Sequence, residues 1–334
     1  MSFDRKAITE FIGSFLNFNR TANAKCLPKT LSTFGKLDDL RKKGWHEKCI
    51  FTGSMHHGFY PNLELTCSVH QIHVLGKVTK MTASINLIHE GSASEFVTAL
   101  LQEVEAHTAL NHEYLKRLST GELPNIDAVL RDYAFNYSFY SDKFVEYLDA
   151  VIAGMKNENH KELIRENLLE EEGDPMAVEL KDKPHIEIFA DFKTRIGVND
   201  QYLASNEICD TVRFWSETFM SCCKNEKNGC GLGAIGIATE FIVPEIYQHF
   251  IDAIEQHSTF DDDASLFFRL HVDCDDGHGQ DLVNVITDVA AEPSEREAIR
   301  FGTLLALNLR SAFWDAMLAR ALAMETQQQL APAA

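Results

Sequence analysis

From Ser92 to Met324 the apolar residues recur every three to four positions, in runs that stop at Gly121 and Pro124, Gly154, Gly173 and Pro175, and Gly197. That period belongs to the α-helix, where positions three and four apart share a face. Ser92 and Glu95 fit a capping box, which satisfies two N–H groups at a helix start. The pattern predicts helices over 92–118, 126–153, 160–172, 184–197, 205–223, 232–257, 263–278 (continuing towards 290) and 293–324. Pro184 suits a first helical turn, and Pro244 kinks or restarts the helix that contains it. Such a succession, with almost no strand, packs as an all-α helical bundle.

Residues 1–91 read differently. Gly, Pro and polar residues are scattered among β-branched ones, and Leu63–Val69 alternates as a strand does. The expected organisation is an N-terminal extension over 1–91 with some β-structure, a helical domain over 92–326, and a disordered tail over 327–334. The stretch around Phe11–Phe18 lacks the apolar run and cleavage site of a signal peptide. The most apolar run, Ile235–Val243, is interrupted by Thr239 and Glu240, so no membrane span is expected.

A formal net charge of −19 without a Lys/Arg-rich run excludes phosphate-backbone binding, and with it nucleic acid. It also disfavours an anionic membrane surface. The eight cysteines form no C-x-x-C pair, which removes zinc-ribbon and thioredoxin chemistry. They are too sparse to staple a chain of 334 residues, and are expected as reduced thiols in a cytoplasmic protein.

Three segments carry charge where a plain bundle would not. Glu240 lies in Leu232–Val243, a helix apolar on all sides. A glutamate there is costly unless paired, protonated or bound to metal. His271, Asp275 and His278 are spaced i, i+4, i+7, within about 40° of one another's mean direction on an ideal helix. Two imidazoles and one carboxylate on one face suit a first-row transition metal. An EF-hand calcium loop fits poorly, since counting from Asp273 the fifth position is Gly277 and no glutamate closes the loop. Finally, Glu170, Glu171 and Glu172 end a helix, where their charge opposes the macrodipole, and Pro184-His185 follows. Each segment alone reads equally well as solvated or salt-bridged polar surface. Together they place histidines and carboxylates on separate helices, the way bundles build dinuclear sites.

These residues resemble the haem-oxygenase-like diiron oxidases and oxygenases, a superfamily of iron-containing redox enzymes. The likeness runs over about 105–290, through Asn111–Leu115, Gly121–Pro124, the tyrosine-rich helix with Tyr133, Tyr137 and Tyr140, Glu171-x-Gly173 and His185-x-x-x-Phe189. It continues through Ala238–Ile246 and Phe267–His278. The resemblance implies a metal set of Glu171, His185, Glu240, His271, Asp275 and His278, with Glu170 and Glu172 as alternatives to Glu171. Glu146 stands where some members place an additional carboxylate ligand. Three carboxylates against two ferrous ions leave a nearly balanced charge, as a partly buried site requires. The implied cofactors are two Fe(II) ions, with manganese–iron as an alternative, and O2 as co-substrate. The implied chemistry is N-oxygenation, C–H hydroxylation or desaturation, or oxidative C–C cleavage of a small metabolite, first an amino acid or amine in a natural-product pathway. Arg269 and Arg310 are candidate anchors for a substrate carboxylate, against surface charge as the plainer role of each. The expected partners are a small-molecule substrate and an external electron donor, with neither nucleic acid nor membrane, and a homodimer as the assembly. Two rival readings share the fold: a metal-independent thiaminase-like or cofactor-maturation enzyme, and a non-catalytic iron-binding helical protein.

Overall fold

The computed structural model describes residues 88, 90–174, 176 and 179–330, without the side chains of 273–278 and 325–330. The chain divides into two compact units, 1–68 and 69–334, and all described residues belong to the second. Residues 1–87 and 89 of the expected extension over 1–91, with its strand at 63–69, and residues 331–334 of the expected tail lie outside the described residues.

The second unit is a bundle of helices, and no strand occurs among the described residues. In chain order the α-helices are α1 Ala93–Glu105, α2 Glu113–Ser119, α3 Ile126–Ser141, α4 Phe144–Gly154, α5 Glu158–Glu172, α6 His185–Arg195 and α7 Asp200–Ser205. They continue as α8 Asp210–Cys223, α9 Asn228–Leu232, α10 Val243–His257, α11 Leu266–Val289 and α12 Pro293–Leu330. The capping box at Ser92 and Glu95 is formed, each side chain bonding the other's backbone.

The first two predicted helices each break in two. Periodicity runs through 106–112, but polar side chains there bond the backbone locally. Asn111 donates to the carbonyls of Glu105 and His107, and His112 accepts from the Tyr114 N–H as the N-cap of α2. Such bonds compete with the helical ladder, while Ala109 and Leu110 within the break still pack into the core. Likewise α3 ends at Ser141 and α4 restarts at Phe144.

The core is one apolar cluster fed by every long helix, and its centre is aromatic. Tyr140 stacks on Trp215 at 4.0 Å, Phe250 on Phe268 at 5.2 Å, and Tyr133 lies against Phe250 at 4.2 Å. α12 lies along this core, tied at its sides by Arg300 to Glu103 and Arg320 to the buried Asp132. It packs onto α9 backbone to backbone: a Cβ on Gly302 would stand 1.9 Å from the Cys230 carbonyl oxygen, so only glycine fits. The chain from Asn228 to His257 is long and apolar enough to cross a membrane, but 83% of its apolar window is buried inside the bundle, as for a core helix. Cys209, Cys222, Cys223 and Cys230 are free thiols.

Candidate metal centre

Glu171 sits in the last turn of α5 and His185 opens α6. Fourteen positions separate them in sequence, yet their side chains meet. Gly173 explains how. Its φ of 59° and ψ of −176° suit glycine alone, and a Cβ there would lie 2.3 Å from the Pro184 nitrogen. The intervening loop therefore leaves and returns at one point, with the Asp174 N–H donating to the Asp182 carbonyl. Of the three successive glutamates, Glu171 turns inward with its side chain 13% exposed, whereas Glu170 and Glu172 are exposed.

Glu240 closes a π-helical stretch, Gly233–Glu240, between α9 and α10. The Phe241 N–H bonds back five residues to the Gly236 carbonyl, and Thr239 Oγ1 donates to the Ala234 carbonyl. Pro244 has no N–H to offer the Glu240 carbonyl, so the ordinary ladder cannot continue and α10 starts afresh at Val243. π-turns of this kind gather at functional sites. All eight residues of the stretch are buried.

His271 lies in the second turn of α11 and is 8% exposed. Its Nδ1–H donates to the Phe267 carbonyl at 2.8 Å, which puts the lone pair of the neutral ring on Nε2. A backbone partner that fixes the tautomer is characteristic of metal-binding histidines.

One ligand atom from each of Glu171, His185 and His271 lies within 4.8 Å of the others. His185 Nδ1 stands 3.0 Å from Glu171 Oε1 but off a hydrogen-bond direction, so the two side chains face a common point. The rings of His185 and His271 are 4.6 Å apart. These three side chains and Glu240 line one cavity of about 480 Å³, open mouth included, walled by Phe189, Val243, Tyr247 and Phe267. Glu240 Oε1 and His185 Nδ1 are buried with no hydrogen-bond partner among the described residues. Burial foremost, and then the Glu171 carboxylate, push the Glu240 carboxyl up to about 8. For His185, burial lowers the pKa, but the contact with Glu171 and the charges of Glu171 and Glu240 outweigh it and raise the net value. The cluster is thus a concentration of acids that holds protons in the absence of a better cation.

Asp275 and His278 follow His271 on α11 at i+4 and i+7, and their side chains lie outside the described residues. Glu146 is on α4 and is not brought to the cavity. Arg269 is half-exposed and pairs with Glu255, so its charge is already engaged outside the cavity. Arg310 is no surface charge; it is 1% exposed in the core. Reasoning from sequence missed Asn167 as a site residue. It is buried one turn before Glu171 and acts on Glu240, and the i, i+4 spacing was the available signal. Thr239, Phe189 and the tyrosines Tyr137, Tyr140 and Tyr247 also line the cavity. Tyr133, Tyr137 and Tyr140 sit at i, i+4 and i+7 of α3, again a single face.

The donor set fits iron: imidazole nitrogens and carboxylate oxygens in a buried, acid-rich pocket, with Glu240 Oε1 lacking a hydrogen-bond partner among the described residues. Comparison with known proteins agrees. A family model described as iron-containing redox enzyme matches residues 131–311. A 4-chloro-allylglycine synthase from Streptantibioticus cattleyicolor is 24% identical over 221 residues, 66% of this chain and 82% of that protein. A 4-aminobenzoate synthase from Chlamydia pneumoniae is 25% identical over 189 residues, 56% of this chain and 80% of that protein. In fold, the chain resembles a TenA homolog from Pseudomonas syringae pv. tomato (TM-score 0.55, 14% identity), covering 68% of this chain and 93% of that one. It also resembles a CADD-like protein of unknown function from Nostoc punctiforme (TM-score 0.53, 16% identity), covering 70% and 97%.

Proposed function

This chain belongs to the iron-containing redox enzymes, and we propose that it is a non-haem diiron oxidase or oxygenase that uses O2 to transform a small amino acid or amine-derived metabolite. The observation that carries the reading is the meeting of Glu171, His185 and His271 within 4.8 Å, with Glu240 on the same cavity wall. We assign these four, with Asp275 and His278 from the register of α11, to two ferrous ions. When bound, the ions supply the electrons and open coordination positions that activate dioxygen.

The chain's own residues prepare that chemistry. The Phe267 carbonyl holds His271 in its Nε2 tautomer. Phe189, Val243 and Phe267 keep bulk water from the polar cluster. Glu240 holds a proton that metal binding displaces, and the Glu171 and Glu240 charges raise the proton affinity of His185. The compounds in the names of the two relatives, 4-chloro-allylglycine and 4-aminobenzoate, each carry an amino and a carboxylate group, which supports an amino-acid or amine substrate in a biosynthetic route. An external electron donor is the expected second partner, and the cytoplasm the expected location, in keeping with free thiols and an apolar helix enclosed by the bundle.

The metal-independent reading of the same fold leaves the buried Glu171–His185–His271–Glu240 cluster without a purpose. Elemental analysis of the iron-reconstituted protein decides between the two: near two irons per chain in the wild type, lost in His271→Ala. An iron-binding protein without catalysis would accumulate ferric iron on O2 exposure and convert no substrate.

A further inference from the structure

Beyond the metal cluster, one buried charge has no explanation in the ligand set. Arg310 lies midway along α12, and its Nε, Nη1 and Nη2 atoms are all buried without a hydrogen-bond partner among the described residues. A guanidinium is always charged and carries five N–H donors. Leaving it unpaired in the core is among the costliest arrangements a fold can hold. The chain pairs its other enclosed arginines: Arg296 donates to the Ala290 and Gly91 carbonyls, Arg300 to Glu103 and Arg320 to Asp132.

What surrounds Arg310 is aromatic. Its guanidinium carbon lies 5.1 Å from the Trp215 ring centroid, and the phenols of Tyr133, Tyr137, Tyr140 and Tyr247 are the ionisable groups acting on it. Burial holds Tyr133, Tyr140 and Tyr247 well above the usual phenol range, so they are neutral and do not balance the charge. Three of these tyrosines, Tyr137, Tyr140 and Tyr247, also line the metal cavity. The Tyr137 and Tyr247 hydroxyls bond each other at 3.1 Å, and the Tyr140 hydroxyl lies 3.4 Å from Thr239 Oγ1, next to Glu240. The tyrosines that act on Arg310 thus include three that line the ligand cavity, whereas Arg310 itself does not line it.

We propose that Arg310 is the carboxylate-binding residue of the substrate site. A substrate carboxylate takes the guanidinium in two parallel N–H···O bonds, the arrangement for which arginine is built. The Tyr137 and Tyr247 hydroxyls give up their mutual bond and donate to the same carboxylate. The substrate's other end then projects towards Glu171, His185 and His271. This narrows the substrate class to carboxylates whose reacting group lies a few bonds away, and it rejects the corresponding decarboxylated amine. Which end reacts rests on the diiron reading above; the anion site itself does not.

The test uses the full-length, iron-free protein in chloride-free buffer, followed by thermal unfolding. The probes are acetate, benzoate and glycine, each against its neutral amide: acetamide, benzamide and glycinamide. At least one carboxylate should raise Tm by about 3 °C at tenfold its Kd, while its amide leaves Tm unmoved. Arg310→Met should lose that response and melt no lower than wild type, because it removes an unpaired buried charge. A merely structural arginine would instead give a lower Tm in Arg310→Met. Equal Tm for every carboxylate–amide pair in the wild type overturns the proposal, as does a response that survives in Arg310→Met. Chloride alone reproducing the whole carboxylate shift also overturns it, since the site would then be one for inorganic anions. Should Arg310→Met fail to fold, the wild-type comparison of carboxylate with amide decides alone. A carboxylate response in a chain that takes up no iron would keep this site and discard the diiron reading; two irons without the response would do the reverse.

Discussion

Replacing the Glu240 carboxyl should make the iron-free protein increasingly more stable than wild type as pH rises. The carboxyl has a pKa near the ordinary 4.5 in the unfolded chain and about 8 in the fold, because it is buried beside Glu171. A folded pKa above the unfolded one means that the group favours folding at low pH. That contribution is complete below about pH 4.5 and is lost as pH climbs towards the folded value. From pH 6 towards pH 8 the folded protein holds up to one proton that the unfolded chain has released, falling to about half a proton at pH 8. Wild type therefore loses about 1.4 kcal/mol of stability per pH unit from this group near pH 6 and about half that at pH 8, or roughly 2.3 kcal/mol over the interval. Glu240→Gln removes the titration and keeps the side-chain volume. Urea unfolding of chelator-treated wild type and Glu240→Gln at pH 6, 7 and 8 measures the difference, which includes the smaller effect of the lost Glu240 charge on His185. Stability curves that run parallel between the two proteins would refute the placement of Glu240 as a buried, proton-holding acid. The same proton must leave when iron binds, so the affinity of wild type for Fe(II) should strengthen with pH up to about 8.

Gly173→Ala should weaken the centre without touching a ligand: with φ at +59° and its Cβ driven onto the Pro184 nitrogen, it displaces α6 from α5. We expect a loss of roughly 1–3 kcal/mol in stability and less than one iron per chain, measured by urea unfolding and elemental analysis. Gly302→Ala, whose Cβ would meet the Cys230 carbonyl, should cost a comparable amount, seen as a lower Tm. The segment around residues 268–282 is rich in Gly and Asp, poor helix formers, and carries His271. Ferrous iron should therefore slow its amide hydrogen exchange, and equal protection with and without iron would count against the assigned set.

Much of the bundle is legible in the sequence because burial imposes a period. The stop at Gly173, the start at Pro184 and the restart at Pro244 stand where the pattern puts them. The break at 106–112 is not legible, because the apolar period continues through it. What interrupts the helix is a few side-chain bonds from Asn111 and His112, which compete with the helical ladder. Residue order suggests a pairing of Glu171 with His185 but cannot establish it. The pairing depends on one glycine conformation that brings a ten-residue excursion back to its origin, and a sequence carries no distance across a loop.

Arg310 shows how register outweighs residue type. Judged singly, an arginine on an amphipathic helix belongs outside. Judged by register, Arg310 falls between Leu307, Phe313, Trp314 and Met317, all buried, and so occupies a core position of its helix. Glu240 gives itself away by the same logic, an ionisable residue where the period demands an apolar one. In both places the fold tolerates an orphaned polar atom: Oε1 of Glu240 and the nitrogens of Arg310. Stability alone would replace each by an apolar side chain of similar size. Their presence near the same tyrosines follows if something absent from the chain satisfies each of them, a cation at Glu240 and an anion at Arg310. A substrate that reaches both would satisfy the second while presenting its other end to the first.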